Sequence, residues 1–280
     1  MHESLDSFIK RIKSLEIQGA KEIAIESLKF LRNFAKENGF GKKFESVARK
    51  IEKTRPTAVV LHNCLEILKK DESIERLNKL IKWLSNVDKE IAKKGERIIK
   101  NGSKIMTHCH SGEALAVIKR AWKNGKKITV YATETRPKEQ GIKTAKELSR
   151  MGIHVILIVD SAVEFFIKDI DMVIVGSDAL RKEGVVNKIG TCSMAIVAKE
   201  YKRPFYVVGN TLKLDRRKKV IIEERSPYEI YVEHLKTLEI KNPAFDITPW
   251  KYVKRVITEK GILTPGNILK MLKGAYVEYI

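Results

Sequence analysis

The sequence predicts an α/β protein: a helical N-terminal third, then a mainly parallel sheet with helices on both faces. Three observations point there. Apolar residues recur at helical spacing through the first hundred residues. Beyond them, short β-branched runs alternate with helix-length segments. Those runs are almost continuously apolar, as in strands buried on both faces. The change falls at "KNGSK" (100–104), whose Asn-Gly marks a turn, so the expected division is 1–99 helical and 100–280 α/β.

The first helix rests on Leu5, Phe8, Ile9, Ile12 and Leu15, and the second on Ile23, Ala24, Leu28, Leu31 and Phe34. "IQGA" (17–20) interrupts between them. Another amphipathic pattern runs Leu77, Leu80, Ile81, Leu84, Val87, Ile91. The expected strands are "KIMTH" (104–108), "ITVYAT" (128–133), "HVILIVD" (154–160), "MVIVG" (172–176) and "FYVVG" (205–209). Helix-length stretches between them end in Gly, as at "NGK" after 123 and "MG" (151–152).

The 280 residues are 43% hydrophobic and 32% charged, a globular composition. The longest aliphatic run, "VILIV" (155–159), is far below the roughly 18 residues of a membrane span. The start, "MHESLDSF", has early acids and no signal-peptide core. Cys64, Cys109 and Cys192 are widely spaced and form no CxxC, so a reducing, cytoplasmic compartment is expected. The net charge of +20 is spread, with +8 in residues 1–100 and +12 in the rest. Such a field attracts any anion without choosing among them. "KLDRRKK" (213–219) lacks the interleaved aromatics of a single-strand platform, and nucleic acid is not the expected partner.

Ligands of such sheets bind beyond the carboxyl ends of the strands. Cys109 follows the first strand, between His108 and His110. Strand alternation would turn both histidines away from the thiol. No second Cys/His cluster exists, so no metal site is expected. Ser111 is placed to cap "EALAVIKRAW", and that helix entrance would lower the thiol's pKa. Local sequence leaves a buried thiol and a reactive thiol both open. Asp178 follows "MVIVGS", and Asp160 follows "HVILIV", with Ser161 as a cap. In "ETRPKEQG" (134–141) Glu134 and Arg136 are placed to pair. "VVNKIGT" (185–191) sets Asn187 and Lys188 before another helix entrance, fit for a phosphate. Lys213 is one more strand-end cation.

Taken in order, "THCHS", "ETRPKEQGIKTAKEL", "VDSA", "VGSDAL…GVVNKIGT" and "NPAFDITPWKYVKRVITEKGI" resemble the archaeal ribose-1,5-bisphosphate isomerases. These share a superfamily with 5-methylthioribose-1-phosphate isomerases and the regulatory subunits of translation initiation factor 2B. The resemblance covers roughly residues 15–265. It implies a Rossmann-like second domain and conversion of ribose 1,5-bisphosphate to ribulose 1,5-bisphosphate in AMP degradation. It implies that Cys109 and Asp178 are catalytic. It also implies substrate contacts at Arg55, Ser111, Asn187, Lys188 and Lys213, with Gln140 matching the methylthioribose branch. The family's Arg-Gly-Ala ligand loop reads Gln18-Gly19-Ala20 here, a neutral amide replacing a guanidinium, with Lys21 placed to compensate.

The implied reaction needs no metal or organic cofactor. Asp178 would protonate the ring oxygen, and hydrogen would then move from C2 to C1. Either Cys109 takes that proton, or it steadies charge during a hydride shift. The resemblance further implies dimers through the C-terminal domain, and hexamers built from them. The alternatives are a methylthioribose-1-phosphate isomerase and a non-catalytic subunit that binds initiation factor 2.

Overall fold

The computed structural model describes residues 3–14, 16–219, 222–233 and 235–274. Leu15, expected on the first helix, lies outside the described residues.

The N-terminal part is helical: α1 (Leu5–Lys13), α2 (Ala20–Asn38), α3 (Lys42–Thr54), α4 (Val59–Leu68) and α5 (Ile74–Gly95). The break at "IQGA" is real, since α2 begins at Ala20 behind Gly19, whose φ is 83°. Helix α3 buries Phe44, Ala48 and Ile51, and α4 buries Cys64, Leu65 and Leu68 beside them. Arg55 and Pro56 make the corner between these two helices.

Helix α5 belongs to two cores. Its Leu77, Leu80 and Leu84 pack with the other N-terminal helices, while Val87 and Ile91 pack against the sheet. Gly95 permits that second contact, because a Cβ there would lie 2.6 Å from Val117. The helical core also takes in Leu212, from beyond the sheet.

The larger sheet contains β1 (Lys104–Thr107), β2 (Thr129–Thr133), β3 (His154–Ile158), β4 (Met172–Val175), β7 (Phe205–Val208), β9 (Arg255–Thr258) and β10 (Gly261–Leu263). Their order is β10-β9-β7-β4-β1-β2-β3, parallel except for β10. Alternate residues feed opposite cores. Ile105, Val130 and Ile174 face α5 and α6 (Gly112–Lys123). Met106, Val173 and Val207 face α8 (Val163–Ile167), α9 (Thr191–Glu200) and α10 (Pro265–Leu272). Both faces are therefore apolar, which is why these strands read as continuous hydrophobic runs.

A second, antiparallel sheet pairs β5 (Ala179–Leu180), β6 (Val185–Lys188) and β8 (Phe245–Thr248). Asn187 and Lys188, set before a helix entrance by the sequence, end β6, paired with Asp246 and Phe245, and α9 follows. Among the described residues no helix is long and apolar enough to cross a membrane.

Candidate active site

The sheet changes direction of growth at β1. Strands β2 and β3 extend it to one side; β4, β7 and β9 extend it to the other. The crevice between the carboxyl ends of β1 and β4 is thus the topological switch point, where open α/β sheets take their ligands. Cys109 follows β1 and Asp178 follows β4, and the two strands are hydrogen-bonded neighbours.

Cys109 has φ of 67°, a left-handed conformation costly for a side-chain-bearing residue. Three contacts hold it there. Its N–H donates to Oγ1 of Thr135 at 2.8 Å, and its carbonyl accepts from Oγ1 of Thr144 at 2.8 Å. Its thiol donates to Oε1 of Gln140 at 3.3 Å. Thr135 is itself at φ 63°, and its loop is pinned by Asp160, which accepts from the N–H groups of Thr135 and Arg136. Gln140 opens α7 (Gln140–Arg150). A Cβ on the following Gly141 would lie 1.6 Å from the carbonyl oxygen of Thr133, so only glycine lets α7 come this close to β2.

Two expectations about this thiol need correction. Strand alternation does not extend to it, because β1 ends at Thr107 and the backbone turns over at Cys109. Nor does a helix entrance make it acidic. Burial pushes the Cys109 thiol up to about 11, against the pull of Lys188 and the His110 backbone N–H.

The flanking histidines are braces. His108 is buried, with Nδ1 2.6 Å from Oγ1 of Thr133 and Nε2 2.8 Å from the carbonyl of Ile189. The carbonyl can only accept, so Nε2 carries the proton; burial keeps the ring neutral by lowering its pKa. His110 turns toward Thr144 of α7 at 3.0 Å. The expected pair Glu134–Arg136 does not form; Arg136 pairs with Glu139 at 3.1 Å, one turn onward in the loop. Ser161 makes no side-chain cap at α8.

Asp178 is partly buried, and desolvation raises its carboxyl above the ordinary range. Lys213, Lys188 and Arg55 oppose that shift, in falling order, and Glu113 adds to it. The cations come from three places in the chain. Lys188 ends β6, 5.3 Å over the Phe245 ring. Arg55 pairs with Glu223 at 3.2 Å, while its Nε is buried with no hydrogen-bond partner. Lys213 is 4% exposed and paired with Glu113, which also accepts from both nitrogens of Asn210.

The N-terminal helices hold the Lys213 loop in place. Nδ2 of Asn63 donates to the carbonyls of Leu212 and Leu214, and Arg217 donates to the carbonyl of Pro56, next to Arg55. The remaining candidate residues are engaged within the protein or stand at helix starts. Ser111 caps α6 and lies so close to Gly176 that a Cβ there would meet its Oγ at 2.3 Å. Gln18 accepts from Gln140 at 2.9 Å, Gly19 caps α2, and Ala20 is buried. Lys21 is committed to Asp88 of α5, in the neighbourhood of Lys213 and Glu113. Asn187 donates to Thr191 at 3.0 Å.

The α9 entrance is already occupied. Oδ2 of Asp246 accepts from the N–H groups of Gly190 and Cys192, so those amides are not free for a phosphate. Burial raises that carboxyl to about 6. Sequence reasoning missed Asp246, Thr135, Thr144, Asn63 and the role of Glu113. Only the motifs "ETRPKEQGIKTAKEL", which holds Thr135 and Thr144, and "NPAFDITPWKYVKRVITEKGI", which holds Asp246, and the place of Glu113 near the start of "EALAVIKRAW", offered any signal for them.

The model of the initiation factor 2 subunit family matches residues 16–265, which include every candidate residue above. The chain belongs to this family. Among its relatives, a protein of Archaeoglobus fulgidus named ribose 1,5-bisphosphate isomerase is 40% identical, over 95% of this chain and 91% of its own. One of Methanocaldococcus jannaschii with the same name is 42% identical, over 91% and 90%. A methylthioribose-1-phosphate isomerase of Thermoanaerobacter is 37% identical, over 93% and 88%. Among solved structures, a Pyrococcus horikoshii protein titled translation initiation factor eIF-2B superposes with a TM-score of 0.85 at 28% identity, covering 96% of this chain and all of that one. The family likeness is thus whole-chain, and it spans both helical part and sheet.

Proposed function

We propose that this protein is an aldose–ketose isomerase that converts ribose 1,5-bisphosphate to ribulose 1,5-bisphosphate. One observation carries the proposal: Cys109 and Asp178 follow the two neighbouring strands at the switch point, and Arg55, Lys188 and Lys213 all act on the Asp178 carboxyl. Three cations at one carboxyl suit a substrate with two phosphates better than one with a single phosphate. Relatives of both names remain close in sequence, so the substrate is decided by turnover of ribose 1,5-bisphosphate against methylthioribose 1-phosphate.

The anomeric phosphate locks the sugar ring shut. Asp178 protonates the ring oxygen, and the bond from that oxygen to C1 breaks. Burial supports this role by favouring the protonated carboxyl, and bound phosphates would push it further up by neutralising the nearby cations. Hydrogen then moves from C2 to the electron-poor C1, the C2 hydroxyl gives its proton to the Asp178 carboxylate left by the first step, and the C2 ketone forms. A thiol raised to about 11 is a poor base at neutral pH, which supports the hydride shift over proton abstraction. Cys109 then stabilises charge beside the migrating hydrogen. Substrate deuterated at C2 tests this: the hydride route keeps the deuterium at C1 of ribulose 1,5-bisphosphate, whereas abstraction by an exchanging base loses it to water. No ribulose 1,5-bisphosphate from pure, reduced protein would instead favour the non-catalytic, factor-binding alternative.

Self-association belongs to the same proposal. Leu157, Val159, Phe165 and Ile196 are 46–62% exposed around the β3 edge and helices α8 and α9. Apolar side chains clustered in this way mark interaction surfaces. A second copy of the chain is the occupant we assign, and light scattering checks it. A reducing, cytoplasmic setting suits the three free thiols.

A further inference from the structure

Cys109, Gln140 and Gln18 form a line of side chains from the crevice to the surface. The Cys109 thiol donates to Oε1 of Gln140 at 3.3 Å, and Nε2 of Gln140 donates to Oε1 of Gln18 at 2.9 Å. A primary amide offers acceptors at one end and donors at the other. Those two ends make opposite demands on sulfur. A carbonyl oxygen accepts an S–H and is repelled by a thiolate, while N–H groups favour the thiolate. The Gln140 backbone has little room to shift, since Gly141 is pressed against the carbonyl of Thr133. The remaining freedom is a half turn of the amide.

We propose that Gln18 is a positioning residue: by accepting from Gln140 it keeps the Gln140 carbonyl toward Cys109 and so holds the thiol in its protonated form. The other groups facing the sulfur are fixed in sign. Lys188 at the end of β6 and the backbone N–H of His110 favour the thiolate. Asp178 after β4 and Asp160 after β3 oppose it. The His108 ring is turned to Thr133 and Ile189, and the His110 ring to Thr144 and Glu147 of α7. Gln140 is the member of this set that reverses its preference on rotation. The inference deepens the proposed function, and it draws its catalytic meaning from the reading of Cys109 as a reacting group.

The test reads the thiol without substrate, so its failure is separate from failure of the isomerase assay. The full-length protein is labelled with iodoacetamide across a pH series, and the rate is followed on the Cys109 peptide by mass spectrometry. Gln18 is exposed, so its substitution leaves the core intact. Gln18→Leu frees the Gln140 amide and lowers the thiol's apparent pKa by roughly half to one pH unit. Gln18→Glu keeps an acceptor and gives no fall. In a Gln140→Met background, Gln18→Leu shifts nothing. An unchanged or raised pKa in Gln18→Leu overturns the proposal, and so does an equal fall without Gln140.

Discussion

Glu113 and Lys213, a hundred residues apart in sequence, form a buried ion pair on the wall of the crevice. Glu113 stands in the first turn of α6, just beyond Ser111, and Lys213 lies in the loop after β7. Glu113 also accepts from Asn210, so one carboxylate fixes both the turn and its ammonium. Glu113→Gln leaves that ammonium buried without its counter-charge. Losing one member of a buried pair costs about 3–5 kcal/mol, and a lower thermal midpoint is expected. Glu113 also raises the Asp178 carboxyl. Its removal lets that carboxyl ionise at lower pH, so the alkaline limb of the kcat profile should move down. A purely structural defect would lower activity without moving that limb.

Arg55 separates charge from shape. Its Nε is buried and has no partner, an N–H waiting for an oxygen. A phosphate oxygen there gains a charge-assisted hydrogen bond worth about 1.5–3 kcal/mol, or roughly a 10- to 100-fold change in affinity. Arg55→Lys keeps the charge and loses the planar fork. Steady-state kinetics should show KM rising by that factor in Arg55→Lys, with kcat changed far less. Full activity with lysine would remove Arg55 from the phosphate site.

The strands that carry Cys109, Asp178 and Lys213 were legible because both their faces are buried. "KIMTH", "MVIVG" and "FYVVG" needed no knowledge of their neighbours. The small sheet was not legible. Its strands are short, Asn187 and Asp246 are polar, and its pairing joins β6 to a strand far along the chain. The same limit applied to the thiol. Cys109 stood out by position, yet its acidity depends on burial, and its placement on Thr135, Thr144 and Gln140, which no local pattern places around it. Local helix logic therefore misjudged the direction of its pKa. The Glu134–Arg136 pairing failed for the related reason that loop geometry, not proximity in sequence, chose Glu139.

Gly141 offers a steric test that alters no charge. A Cβ at this position would sit 1.6 Å from the carbonyl oxygen of Thr133, inside any permitted contact. Helix α7 must then back away from β2, taking Gln140 and Thr144 with it. Gly141→Ala should destabilise the protein by about 1–3 kcal/mol, in line with overpacking elsewhere. It should also quicken iodoacetamide labelling of Cys109, because Thr144 no longer holds the Cys109 carbonyl and the Gln140 carbonyl leaves the sulfur. Denaturant unfolding and peptide-resolved labelling read the two effects separately.

Asp178→Asn joins activity to stability with a definite sign. Without a proton donor for the ring oxygen, turnover should fall by about 10²- to 10⁴-fold. The folded-state pKa of Asp178 is raised, so the folded chain holds this proton more tightly than the unfolded chain. Below the ordinary carboxylate value of 3.8 the group is protonated in both states and the ionised form costs nothing. As pH rises from there through the raised folded value, the unfolded chain gains the free energy of ionising and native stability is lost. Asparagine does not ionise and escapes that loss. Urea unfolding should therefore show Asp178→Asn more stable than the parent at pH 7, with the difference shrinking as pH approaches 4. A variant less stable at pH 7 would mean that Arg55, Lys188 and Lys213 together outweigh desolvation, and Asp178 would then be an ionised counter-charge unable to donate the proton.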